Sequence, residues 1–206
     1  MPLELRNDVT YVALFRHLPQ RLPEGASPYE WHPGAELDKR LAPPIGKRIF
    51  AAYFSGVPIA LGASSRLLRA KQTLGLIAPQ VANKVGLDML GPSANEDWSF
   101  LKDVLPAAPK GETARACFKA RPTLLAKSGE DLWAAIHYLG KMDLKAGQIA
   151  VTVSHGPLCE SAFMVANNLP EPDADWDKGA GHLFAFVPDT GRRLLEFDRS
   201  LPVPPA

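Results

Sequence analysis

Three short apolar runs in this 206-residue chain each stop abruptly at polar residues, and that pattern limits the fold more than any other feature. Tyr11-Val12-Ala13-Leu14 runs into Phe15-Arg16-His17, and Ile149-Ala150-Val151-Thr152-Val153 runs into Ser154-His155-Gly156. Between them, Pro58-Ile59-Ala60-Leu61-Gly62-Ala63 gives way to Ser64-Ser65-Arg66-Leu67-Leu68-Arg69. Runs of this length with sharp polar ends read as buried strands. Helical spacing occupies the intervals: residues 45 to 54, a helix opened by Ser64 or Ser65 with Leu67, Ala70, Leu74 and Ile77 on one side, a short helix over Trp98 to Val104, residues 129 to 140 capped by Ser128, and Pro157 to Asn168. His182 to Val187 and Arg193 to Phe197 flank Pro188-Asp189-Thr190-Gly191 as a hairpin. Strands separated by helices require crossover connections. The expected fold is therefore α/β, a three-layer α/β/α sandwich with a mainly parallel sheet, forming a single domain over residues 1–206.

Composition narrows the partners. A net charge of +1 removes the electrostatic case for nucleic acid or an anionic membrane surface. No run approaches the ~18 apolar residues of a membrane span, and Met1 to Asp8 lacks a basic segment followed by an apolar one, so a cytoplasmic protein is expected. Cys117 and Cys159 read as reduced packing residues. No His, Cys or carboxylate spacing matches a metal site, and no cofactor is implied.

Chemistry concentrates at the strand ends, where open α/β sheets bind ligands. Arg66 and Arg69 stand in what reads as the first turn of a helix, where the dipole disfavours cations unless an anion is bound. Histidine beside a phosphoryl group can act as a nucleophile, and neighbouring arginines keep it neutral while holding the equatorial oxygens. His32, on a proline-rich loop from 18 to 44, is read as packing with Trp31; His137 and His182 are read as packing or surface residues.

Taken in order, Phe15-Arg16-His17, Asp38 to Gly46, Ser64-Ser65 with Arg69-Ala70-Lys71-Gln72-Thr73, and Ser154-His155-Gly156 resemble the histidine phosphatase superfamily, also called phosphoglycerate mutase-like. The resemblance spans residues 12 to 156. It implies that His17 is the phosphorylated nucleophile and that Arg16, Arg69 and His155 complete a phosphate pocket; Arg66 has no counterpart in the motif and reads as a pocket-rim or surface residue. The substrate would be a phosphorylated small molecule or a phosphoprotein, hydrolysed without a metal. Leu18-Pro19-Gln20 departs from the family's glycine after the first histidine. The family's general acid lies between the second and third motifs, where Asp88, Glu96 and Asp97 stand and Glu96 is preferred. That interval looks most like the small phosphohistidine phosphatases of the SixA type. Two other readings stay open: a phosphate-pocket binding or regulatory protein without turnover, and a mutase-type phosphotransferase. Oligomeric state is left open.

Overall fold

In the computed structural model, which describes residues 2–22, 24–26, 32–92, 96–142 and 144–206, the three apolar runs lie side by side. Strand β1 (Thr10–Arg16) pairs in parallel with β6 (Ile149–Ser154), which pairs in parallel with β4 (Ile59–Ser64). The sheet order is β5-β4-β6-β1-β7-β8. A short parallel strand, β5 (Lys84–Gly86), forms one edge; β7 (Gly181–Phe186) runs antiparallel to β1 and β8 (Arg199–Leu201) antiparallel to β7 at the other. A separate two-stranded ribbon of β2 (Gln20–Arg21) and β3 (Glu36–Leu37) stands in the proline-rich loop.

The continuity of the apolar runs has a simple cause. Side chains alternate across a strand, and here both faces are covered. Tyr11, Ala13 and Phe15 join Ile149, Val151 and Val153 on the face packed by α1 (Ala42–Ile49) and α2 (Leu68–Ile77). Val12, Leu14, Ala150, Phe184 and Phe186 face α3 (Leu101–Val104), α4 (Thr113–Ala120), α5 (Pro122–Met142) and α6 (Leu158–Ala166). Three layers result, as expected. Helices α5 and α6 approach closely because Gly129 has no side chain: a Cβ there would fall 2.7 Å from the Ser161 backbone. No helix of the described residues is long and apolar enough to cross a membrane.

Several element boundaries differ from the sequence reading, each for a local reason. Helix α1 begins at Ala42, since Pro43 and Pro44 occupy its first turn, where no amide is needed, and a π-helical turn (Phe50–Phe54) continues it. Neither Ser64 nor Ser65 caps α2. Ser64 belongs to β4, Ser65 is engaged elsewhere, and α2 starts at Leu68 with Leu67 in the N-cap position, leaving Arg66 outside the helix. Ser128 lies inside α5, which starts six residues earlier at Pro122. The 98–104 segment is helical only from Leu101. The chain does reverse at Pro188 to Gly191, but Arg193 makes only an isolated bridge to Phe186; residues Leu195–Phe197 form a 3-10 turn, and the returning strand is β8.

Candidate active site

Strands β1 and β6 end level, with Arg16 opposite Ser154, so the residues that follow emerge together. His17 is fixed first through its backbone, whose amide donates to Ser154 O at 3.0 Å. Its ring Nδ1 lies 2.7 Å from Leu18 O. A carbonyl can only accept, so Nδ1 carries the proton and the neutral ring presents Nε2 as a lone pair. His155, immediately after β6, has Nε2 2.5 Å from Ser65 Oγ at the end of β4. The two rings sit with centroids 5.1 Å apart, and His17 and His155 are only 6% and 1% exposed.

Two arginines complete the group. Arg69, in the first turn of α2 and 3% exposed, donates from Nη1 to His32 O at 2.8 Å. Arg16 donates from Nη1 to Glu160 Oε1 at 3.4 Å and to Trp176 O, while its Nε is buried with no hydrogen-bond partner. Gly156 makes room for that guanidinium, because a Cβ there would lie 2.6 Å from Arg16 Cζ. The four residues expected from the sequence therefore converge.

Their electrostatics follow from burial among cations. The His17 pKa falls well below its ordinary 6.5, chiefly through desolvation, then through Arg69, with Arg16 and Lys178 adding to it against the opposing Leu18 carbonyl. His155 is also pushed well down, by burial first and then by His17, Arg69 and Arg16. Burial lowers Arg69 to about 10, which leaves it charged at neutral pH. Both rings are thus neutral before any anion arrives. A phosphoryl dianion reverses the repulsion and favours protonation of whichever ring does not attack.

The second motif also resolves into physical roles. Arg69 enters the pocket; Gln72 Oε1 accepts from the Leu37 amide at 2.8 Å, tying β3 to α2; Thr73 Oγ1 accepts from the Leu18 amide at 3.0 Å. Leu18, next to the nucleophile candidate, is a core residue. It is fully buried and lies outside the left-handed region, and its methyl carbons would be 3.3 Å from a Cβ at Gly46 and 2.8 Å from one at Gly179. The side chain points into the core while its carbonyl orients the nucleophile. Pro19 lacks an amide, and its carbonyl accepts from Asp38 N at 2.9 Å.

The three carboxylates considered as proton donors are all exposed. Asp88 is exposed and pairs with Arg66 Nε at 2.8 Å, so Arg66 is an exposed, ion-paired surface residue. Asp97 is exposed, accepts from Ser99 N at 2.8 Å and has its pKa lowered by that residue. Glu96 is exposed, and its charge reaches Lys127 on α5. Among the described residues no hydrogen bond or ion pair joins any of the three to His17.

Two residues near the pocket carried no sequence motif. Glu160, in the first turn of α6, is 2% exposed and accepts from Trp176 N at 3.0 Å as well as from Arg16. Its only sequence signal is a charge inside the apolar stretch Leu158 to Ala166. Lys178 is exposed, yet crowding by the surrounding chain, then Arg16 and Arg69, lower its pKa. The remaining histidines pack as expected: His137 against Trp133 and Phe186, His182 against Phe163 and Phe184. His32 offers its carbonyl to Arg69, and its proposed neighbour Trp31 lies outside the described residues. Cys117 and Cys159 are free and buried.

Comparison with solved structures identifies the architecture. A phosphoserine phosphatase from Entamoeba histolytica, in complex with 3-phosphoglyceric acid, superposes with a TM-score of 0.61 at 16% identity, over 90% of this chain and 94% of that one. A phosphoglycerate mutase from Bacillus anthracis gives 0.61 at 13% identity, over 92% of each chain. The protein histidine phosphatase SixA complexed with tungstate gives 0.52 at 15% identity, over 93% of this chain and 96% of that one. No protein-family model matches the sequence, and no curated protein matches it. At these identities the similarity is one of fold. It is the phosphoglycerate mutase-like fold.

Proposed function

We propose that this chain is a metal-independent phosphatase that works through a phosphohistidine on His17. The observation that carries the reading is the Nδ1 contact to Leu18 O, which leaves Nε2 unprotonated among Arg16, Arg69 and His155. In the first step the Nε2 lone pair bonds to phosphorus as the bond to the leaving oxygen breaks. Arg16, Arg69 and His155 hold the three equatorial oxygens, where charge gathers in the transition state. Water then attacks phosphorus as the N–P bond breaks, its released proton returns to the group that protonated the leaving oxygen, inorganic phosphate leaves, and the ring regains its lone pair.

The leaving oxygen departs with an electron pair and needs a proton. Glu96 is the proposed donor. Hydrolysis of aryl and alkyl phosphates by the wild type, His17→Ala and Glu96→Gln tests the scheme. His17→Ala is expected to lose both activities. Glu96→Gln is expected to lose the alkyl activity and keep the aryl one, whose leaving group needs no proton; equal retention of both would remove Glu96 from the scheme.

A second reading has one observation in its favour: no described carboxylate is bonded to His17. A pocket with four phosphate-binding groups and no proton donor would bind phosphorylated ligands without turning them over. It predicts that vanadate raises the melting temperature while neither phosphate class is hydrolysed. A mutase-type phosphotransferase would instead redistribute phosphate within a phosphoglycerate, visible in the products.

A further inference from the structure

Arg16 is held from one side only. Its Nη1 is engaged by Glu160 Oε1 and by Trp176 O, whereas Nε is buried without a partner. Nε and Nη2 share one edge of the guanidinium plane, and that edge is the bidentate fork that fits a phosphoryl group. Gripping Nη1 thus decides which edge is left to the ligand. Glu160 is built for this. It is 2% exposed, its Oε1 also accepts from Trp176 N at 3.0 Å, and its Oε2 has no hydrogen-bond partner. Burial raises its pKa, against the lowering effect of Arg16, so the side chain sits where ionisation is costly without the arginine.

The same carboxylate anchors a loop. Trp176 N bonds to Glu160, Trp176 O takes Arg16 Nη1, Gly179 N donates to Arg16 O at 3.1 Å, and Arg16 N donates to Ala180 O at 2.9 Å. Residues 176 to 180 are therefore stitched to Arg16 at both ends, with Lys178 between the stitches. Glu160 fixes the arginine and the segment that brings a further cation to the pocket.

We propose that Glu160 is the positioning residue of the phosphate pocket, acting through Arg16: it clamps Nη1 so that the Nε/Nη2 edge faces the phosphoryl oxygens. This rests on the reading of the pocket as a phosphate site. The test measures tungstate affinity by calorimetry for the wild type, Arg16→Ala, Glu160→Ala and the double variant, with thermal unfolding as the check on folding. Glu160→Ala is expected to weaken tungstate binding about tenfold or more, as loss of a partner from a buried charge pair does. The double variant should bind no more weakly than Arg16→Ala alone, because the two residues act as one unit. Glu160→Gln keeps an acceptor for Trp176 N and for Arg16 and should restore most of the affinity, which also covers the case in which the alanine variant does not fold. Wild-type affinity in both Glu160 variants, or effects that multiply in the double variant, would overturn the inference alone. A wild type that binds no tungstate would overturn the phosphate-site reading, and the inference with it.

Discussion

Two buried arginine and histidine groups in this molecule look alike by composition and differ in what surrounds them. At the ends of β1 and β6, Arg16 and Arg69 stand beside His17 and His155, and Arg16 keeps a buried Nε without a partner. Beyond the end of β7, Arg193 is spent on structure. It reaches Asp198 Oδ2 through Nε at 2.6 Å and also through Nη2, contacts Asn167 Oδ1 at 3.1 Å and Ala166 O at 2.5 Å, and stacks over Trp133 and Phe184. Beside it, His182 is lowered to about 4, by burial and then by Arg193. A depressed histidine pKa is therefore common to both groups and marks neither as a site. What separates them is the gathering of Arg16, Arg69 and Lys178 around His17 at the strand ends.

Substitutions can break or sharpen that contrast. The largest effect is expected from His17→Ala, which should reduce turnover by roughly 10³-fold or more while leaving the melting temperature nearly unchanged. Arg193→Ala should do the reverse: leaving buried Asp198 without its arginine costs about 3 kcal/mol, a fall in melting temperature of roughly 10 °C, with turnover per folded molecule retained. If both variants lost activity and stability together, the two groups would not be distinct.

Leu18→Ala tests the boundary between them. The side chain is packed in the core and the carbonyl serves the nucleophile, so the variant should lose about 3 kcal/mol of stability and keep its kcat. A collapse of kcat at full folding would show that the leucine, and not only its carbonyl, shapes the pocket.

Smallest at neutral pH is the proton linkage. In the unfolded chain His182 takes up a proton near 6.5, whereas in the folded protein it resists until about 4. Between those values the unfolded state binds more protons, so stability is fully present above pH 6.5 and declines as pH falls toward 4. His182→Phe should flatten that decline in denaturant titrations without altering turnover at neutral pH. His17 and His155 are also lowered, so the acid limb of kcat/KM should fall below pH 6.5.

What the sequence made legible was the part where local pattern and tertiary role coincide. Strands β1, β4 and β6 are buried on both faces, so their runs are continuous and their ends sharp, and Arg16, His17 and His155 were placed by those ends. Arg69 was found by its motif. Glu160 was not, because its role depends on α6 packing beside β1, which no local spacing records. Lys178 reached the pocket rim through a loop tied to Arg16 by backbone bonds, again invisible in composition. The short edge strand β5 and helix α4 carry too few patterned residues to stand out, and Pro122 opened α5 where Ser128 had looked like a cap.

The central claim is a covalent phosphate on His17. Brief incubation of the wild type with a labelled aryl phosphate, followed by denaturation and peptide mass spectrometry, should recover acid-labile, base-stable phosphate on the peptide containing His17 and none in His17→Ala. Turnover with no such label, or with the label on another residue, would contradict the account.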